Sequence, residues 1–543
     1  MKSIIVIFGM LFLLSCNSAK KIDLLVINAT VYTVDSNFSK VEAIAVDKGK
    51  IVETGTTKDL QKKYDAKETL DASGKYILPG LIDAHAHFLQ YGLGLNTADL
   101  VGTNSWEDVI EKVKAFAAEN KEGWIAGNGW DQNDWTAKNF PTNEKLNELF
   151  PDRPVVLTRV DGHAVIANNK ALELAGIKAG DKLEGGEVEV INGKLTGILI
   201  DNATNLVYSK IPASTTAQLV DALLDAQKNC FAAGLTTIDD CGLDYADALL
   251  IDSLQKKNEL KMRLFVMLSD TKRDYDYLFA RGKIKTDRLN VRAFKVYADG
   301  ALGSRGACLL QPYSDKPGWS GFLLSSKKHF DSVANIIYAH GFQMCTHAIG
   351  DSGNRVMLET YAKYLKGKND LRWRIEHSQV INENDFHYFS DNNIIPSVQP
   401  THATSDMYWA GARLGKERLK NAYANNRLMK ENGWIPLGTD FPVEDISPIK
   451  TFYAAVWRQD AKGFPPGGFQ MENALSREDA IRGMTVWAAK ANFEEHEKGS
   501  IEKGKFADFV LLDKDLMKAD EKDILNTRVL MTFVNGEKVF ERK

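Results

Sequence analysis

The chain has 543 residues, with 68 Lys and Arg against 72 Asp and Glu, a formal net charge of −4 and a pI of about 6.3. An apolar share of 44% and a charged share of 26% belong to an ordinary soluble globular protein. No long basic run is present, so nothing points to nucleic-acid binding, and the length exceeds what one small core needs.

The first stretch, "MKSIIVIFGMLFLLSC", carries one lysine, then an apolar run too short to span a bilayer comfortably, then Ser15-Cys16. It reads as an export signal outside the mature fold. Its "LLSC" ending resembles a bacterial lipobox, so residues 1–16 are set apart and Cys16 is expected to carry the lipid. Acyl chains there would hold the protein at the cell envelope, on a periplasmic or outer-membrane surface. No later segment reads as transmembrane. Cys230, Cys241, Cys308 and Cys345 have no framework spacing and sit in or beside apolar stretches, as small buried residues do.

Residues 22–75 read as short strands and turns, with "DKGK" as a hairpin signal. The far end has the same character: "ADFVLLDKD", then "RVLMTFVNGEKVFE" with a turn at Asn535-Gly536. Together 22–75 and 498–543 predict one small β-sandwich built from both chain ends.

Between them, residues 76–497 alternate apolar strand-like runs with helical stretches, the pattern of βα units on a parallel sheet. Candidate strands fall at 76–82, 235–239, 262–268, 291–297, 342–348, 371–377, 393–399 and 434–440. Eight is the number a closed α/β barrel, (β/α)8, of the TIM type requires. The gap from 88 to 234 far exceeds one helix and holds the β-like pieces "GWIAGNGW" and "PVVLTRVDGHAVI". It predicts an inserted cap within about 100–230, after the first barrel strand.

The first strand runs into His85 and His87. In an extended chain residues two apart face one side, so two imidazoles lie together, a donor pair that suits zinc. Other polar residues recur at the C-terminal ends of the proposed strands: Lys295 in "AFKVYADG", His347 in "MCTHAIGD", His377 in "RIEHSQ" and Asp440 in "PLGTDFPV". In such a barrel that face carries the active site.

These motifs, "LPGLIDAHAH", "FKVYADGALGSR", "THAIGD", "RIEHSQ" and "LGTDFPV", resemble the metal-dependent amidohydrolase superfamily. The insertion's "NGWDQNDW" and "PVVLTRVDGHAVIANNKAL", with the tail "GSIEKGKFADFVLLDKD", are similar to its amidohydrolase-3 branch, which includes N-substituted formamide deformylases. The resemblance implies a hydrolase of C–N bonds in non-peptide amides. It implies that His85, His87 and Asp440 bind one divalent ion, zinc or another, and that His347 and His377 bind a second. A carboxylated Lys295 would bridge the two; an unmodified lysine has donors only, and a one-ion site stays open. Asp440 would be the catalytic base.

His163 in the insertion and His402 beyond the seventh strand are candidates to hydrogen-bond a substrate carbonyl, against loop histidines satisfied by backbone. The glycine-rich "DGALGSRG" lacks a following Gly-Lys-Ser/Thr and is no phosphate loop. It is either a pocket wall, with Asp299 or Arg305 reaching substrate, or a tight turn. Trp130 and its neighbours Trp124 and Trp135, with Trp319 and Trp409, suit an apolar pocket for a hydrophobic N-substituent, though aromatics are more often core. His329, His340, His387 and His496 read as structural or exposed. A lactonase or other ester hydrolase on the same site, and a lipid-anchored binding or regulatory protein without turnover, are the rival functions; a homodimer is open.

Overall fold

The computed structural model describes residues 19–543. Cys16 and the segment 1–16 lie outside them. A parallel sheet runs in the spatial order Leu81–Ala86, Leu235–Leu243, Arg263–Ser269, Leu289–Tyr297, Gln343–Ala348, Arg374–His377 and Ile395–Ser397. It closes through residues 436–440, which bond to both edges. Val398 N–H donates to Pro436 O (3.3 Å) and Gly438 N–H to Val398 O (3.0 Å), while Ala84 N–H donates to Leu437 O (3.2 Å) and Asp440 N–H to His85 O (2.7 Å). The eighth expected strand is therefore present as an irregular closing segment of a TIM-like barrel.

Leu81–Ala86, Gln343–Ala348 and Arg374–His377 are buried at every position. Strands covered by helices outside and packed side chains inside have no wet face, so their sequences read as runs and not as alternation. The helix Thr216–Ala232 that feeds the second strand shows the complementary pattern. Thr215 and Gln218 form a reciprocal capping box, and Ala222, Leu223, Ala226, Cys230 and Phe231 form its buried stripe at helical spacing.

The expected first strand, 76–82, is divided. Tyr76–Pro79 pairs antiparallel with Phe509–Leu512, and only Leu81 onward joins the barrel. The pairing joins the two chain ends in one six-stranded sheet, packed beside a four-stranded sheet of Lys20–Ile27, Ala43–Asp47, Lys50–Gly55 and Tyr64–Asp71. Val26, Val31, Ile44, Ile77, Phe509 and Phe533 fill the space between. Asn535 (φ 52°) and Gly536 (φ 70°) both adopt the left-handed conformation that a two-residue hairpin turn requires. Arg263, the first residue of a barrel strand, ties this unit to the barrel by donating to Asp508 (2.6 and 2.9 Å) and Asn535 (2.6 Å). The sandwich thus sits at the barrel's N-terminal end, away from the face that carries chemistry.

The insertion is a six-stranded mixed sheet in the order Gly186–Ile191, Lys194–Asp201, Ala164–Ala167, Val155–Arg159, Ile125–Trp130 and Ala98–Asp99. It has its own apolar core around Leu100, Val113, Trp130, Trp135, Leu157 and Ile198. Among the described residues no helix is long and apolar enough to cross a membrane. Cys230, Cys241, Cys308 and Cys345 are free, three of them buried and Cys308 half-buried.

Candidate metal centre

His85 lies in the first barrel strand and His87 just beyond it. Lys295, His347 and His377 lie at or near the ends of later strands, Asp440 on the closing segment, and His402 on the helix Pro400–Asp406. The fold gathers these residues at one end. His377 packs against His85 (ring centroids 4.8 Å), His347 (4.6 Å) and His402 (5.7 Å).

The hydrogen bonds fix which nitrogen each imidazole presents. His85 Nδ1 lies 2.6 Å from Glu376 Oε2, His87 Nδ1 lies 3.1 Å from the Cys241 carbonyl, and His377 Nδ1 lies 2.7 Å from Gln399 Oε1. Each partner accepts, so each Nδ1 carries the proton and each Nε2 keeps its lone pair. The Nε2 atoms of His85 and His87 stand 3.5 and 3.3 Å from Asp440 Oδ1. These are close contacts without hydrogen-bond alignment, because Asp440 Oδ1 is buried with no hydrogen-bond partner. Lone pairs facing a carboxylate repel unless a cation or a proton lies between them. Ligand atoms of His85, His377 and Asp440 all lie within 4.8 Å of one another. A buried nitrogen–oxygen donor set of this kind fits a divalent ion such as zinc.

Electrostatics agree with neutral histidines around a charged carboxylate. Burial, with Lys295 adding its charge, lowers His85 to about 4. Burial and the neighbouring imidazoles hold His347 and His377 well below the ordinary value. Burial would raise Asp440, but a proton on the facing imidazoles, that of His87 first, would hold the carboxyl well below its usual range, the place an ion takes when Nε2 keeps its lone pair. Burial would also raise Glu376, yet Arg374 and His85 hold it at about 2. Arg374 Nε lies 2.8 Å from Glu376 Oε1, a charge contact without hydrogen-bond alignment, and its Nη1 donates to Asp239 at 2.9 Å. Lys295 Nζ donates to His85 Nε2 at 3.0 Å, so in this structure the amine occupies that lone pair.

Two of these residues have unusual backbones. His377 (φ 72°) and Asp440 (φ 66°) occupy the left-handed region that side chains rarely adopt. Strain of this kind persists where surrounding structure enforces it. At His377 it has a visible consequence. Glu376 and His377 are consecutive and would point to opposite faces of a regular strand. The twist at His377 breaks that alternation, and both reach His85.

His347 Nε2 lies 3.9 Å from Asp299 Oδ1 and is buried without a hydrogen-bond partner. His402 Nε2 is likewise unpartnered, 3.5 Å from Asp440 Oδ2. His163 reaches the barrel from the insertion, its ring 4.9 Å from that of His347 and its Nδ1 2.6 Å from Asp201 Oδ1. Both second-tier histidines therefore stand at the cluster.

Three expected substrate contacts are employed otherwise. Trp130 is fully buried in the insertion's core, donating to Leu157 O (2.8 Å) beside Trp135 and Phe140. Asp299 accepts from the backbone N–H groups of Cys308 (2.8 Å), Ile349 (3.0 Å) and Gly350 (2.8 Å), which makes it a loop tether. Arg305 is held in a two-pronged pair with Asp315 (3.2 and 2.9 Å). Glu376, Gln399 and Asp201 carry no signal of a role in the sequence. Glu376 lies in "RIEHSQ", where regular strand alternation turns it away from His377.

The profile of the amidohydrolase family matches residues 68–540. The chain is 32% identical over 540 residues to the Arabidopsis thaliana protein LONG AFTER FAR-RED 3, covering 95% of this chain and 91% of that one. It is 27% identical over 547 residues to an N-substituted formamide deformylase of Arthrobacter pascens, covering 96% and 98%. An uncharacterised metal-dependent hydrolase of Pyrococcus horikoshii OT3 superposes with a TM-score of 0.75 at 27% identity, over 92% of this chain and 99% of that one. The chain belongs to the amidohydrolase family.

Proposed function

We propose that this protein is a metal-dependent hydrolase that opens the C–N bond of a small non-peptide amide, giving a carboxylic acid and an amine. The observation that carries the reading is the approach of His85 and His87 Nε2 to Asp440 Oδ1, which is buried without a hydrogen-bond partner, with a ligand atom of His377 in the same cluster. Likeness to an N-substituted formamide deformylase supports an amide over other acyl substrates.

The ion is proposed to be zinc, held by His85, His87 and Asp440. In a two-ion form His347 and His377 hold the second with a carboxylated Lys295; in a one-ion form Lys295 acts through its charge beside His85. A divalent ion there supplies Lewis acidity toward a carbonyl and makes water acidic enough to attack near neutral pH. The chain's residues do the rest. Asp440 accepts the proton of the attacking water and delivers it to the leaving nitrogen. Glu376, Gln399 and the Cys241 carbonyl keep the imidazoles in the ligating tautomer. His402, beside Asp440 Oδ2, is placed to hydrogen-bond the substrate carbonyl. The lipobox reading adds an envelope location through lipid on Cys16.

The test is metal content by elemental analysis together with a panel of amides led by N-benzylformamide, run beside matched esters and lactones. Amide turnover that chelation abolishes and zinc restores is the expected result. Ester or lactone cleavage alone would make the protein a lactonase-type enzyme. A purified protein that neither holds a divalent ion nor turns over any acyl substrate would sink the reading.

A further inference from the structure

Asp201 ends the insertion strand Lys194–Asp201 in a left-handed conformation, φ 52°. Its N–H donates to His163 O at 2.9 Å, and its Oδ1 lies 2.6 Å from His163 Nδ1. Two contacts therefore tie Asp201 to His163, one through backbone and one through side chain. The other oxygen, Oδ2, is buried with no hydrogen-bond partner. It presses on the barrel's glycine-rich loop: a Cβ at Gly300 would stand 2.3 Å from it, and one at Gly306 2.1 Å. The loop can pass only because both residues lack a side chain. Two obligatory glycines thus make room for one buried carboxylate with an unpartnered oxygen, an arrangement that is costly unless the group it holds has a task.

That group is His163. Its ring packs 4.9 Å from His347, inside the histidine cluster. Its Nδ1 faces an acceptor, so Nδ1 carries a proton and Nε2 is the free position. The side chain keeps 16% exposure, and among the described residues no protein group bonds Nε2.

We propose that His163 is a catalytic residue, touching the reacting amide through Nε2, and that Asp201 is the positioning residue that orients it. The insertion then supplies part of the active site, wedged into the barrel loop rather than resting over it as a detachable cover. The assignment rests on the hydrolase reading given above and adds to it a residue pair drawn from outside the barrel.

The experiment is a double-mutant cycle on whichever amide the parent hydrolyses, with metal content and thermal melting measured on every variant. Asp201→Asn keeps the shape, and asparagine tolerates left-handed backbone, while the anion is removed. His163→Ala removes the imidazole. Each single variant should lose about 10²-fold in kcat, the scale of one positioned acid–base or hydrogen-bonding group. The double variant should lose no more than His163→Ala, and added imidazole should return part of the activity to His163→Ala. Metal content should match the parent throughout. A folded Asp201→Asn protein with parental kcat, or losses that multiply in the double variant, would overturn the pair. Loss of metal in His163→Ala would also overturn it, by making His163 a support of the ion site. Should Asp201→Asn not fold, His163→Ala decides alone, and parental kcat or failed rescue by imidazole refutes the proposal. A parent that hydrolyses no amide removes the amide-hydrolase reading and the pair with it; an active parent with an indifferent Asp201→Asn removes the pair only.

Discussion

Glu376 Oε2 lies 2.6 Å from Nδ1 of His85, both side chains fully buried, and Arg374 backs the carboxylate from the other side at 2.8 Å. The contact sets the tautomer of His85 and therefore which nitrogen faces Asp440.

Glu376→Gln is expected to weaken metal binding about 10- to 100-fold, the usual effect of removing a partner that orients a ligating histidine. It also leaves Arg374 with Asp239 as its remaining anion. Breaking a buried pair costs up to about 3–5 kcal/mol, and less where a second anion stays. Competition with a chelator reads the first effect and calorimetry the second. Parental metal affinity in the variant would show that His85 needs no such partner.

Asp440→Asn keeps the side chain's shape but removes most of its proton-accepting capacity. A loss of about 10²–10⁴ in kcat is expected from the missing base. At least one ion should remain through the histidines, and substrate affinity should change far less than kcat. A folded, metal-replete Asp440→Asn protein turning over near the parental rate would refute the mechanism.

Lys295→Ala removes the amine that stands 3.0 Å from His85 Nε2. Metal content and turnover should both fall. Partial recovery with a short carboxylic acid such as acetate would favour the carboxylated, two-ion form. Unchanged metal content with full activity would make Lys295 a packing residue.

The metal-free protein should be acid-labile in a defined window. His85 is lowered from 6.5 to about 4 in the folded state, so the unfolded chain takes up a proton that the folded chain refuses. Stability from this group is complete above pH 6.5 and is lost as pH falls toward about 4. Glu376, lowered from 4.5 to about 2, adds loss of the same sign below pH 4.5. Melting temperatures of chelator-treated protein should therefore drop between pH 6.5 and 4, with a shallower drop in His85→Asn. Equal slopes in the two proteins would contradict the burial account.

Cys16→Ser should move the protein from the membrane fraction to the soluble one, because acyl chains lose their attachment point. Sedimentation with membranes that survives a high-salt wash in this variant would refute the lipobox reading.

Local sequence was enough for the barrel and for the polar residues that stand at its strand ends. Parallel strands buried on both faces leave continuous apolar runs, and His85, His347, His377 and Asp440 stand at or near the ends of theirs. The Asn535-Gly536 turn and the shared sandwich were legible for the same reason, since turn chemistry and β-rich composition are short-range signals. Tertiary structure alone decided what lies between elements distant in sequence. Tyr76–Pro79 reads as one run with the first barrel strand, yet pairing with Phe509–Leu512 draws it into the sandwich. Glu376 reads as facing away from His377, and only a left-handed backbone turns both toward His85. Trp130, Asp299 and Arg305 are chemically suited to a substrate, but burial, three backbone donors and Asp315 have already engaged them. The pairing of His163 with Asp201, and the two glycines that clear room for it, spans 38 residues within the insertion and a further loop of the barrel. Side-chain partners at such separations follow from how the chain closes on itself, and no periodicity or motif along it records them.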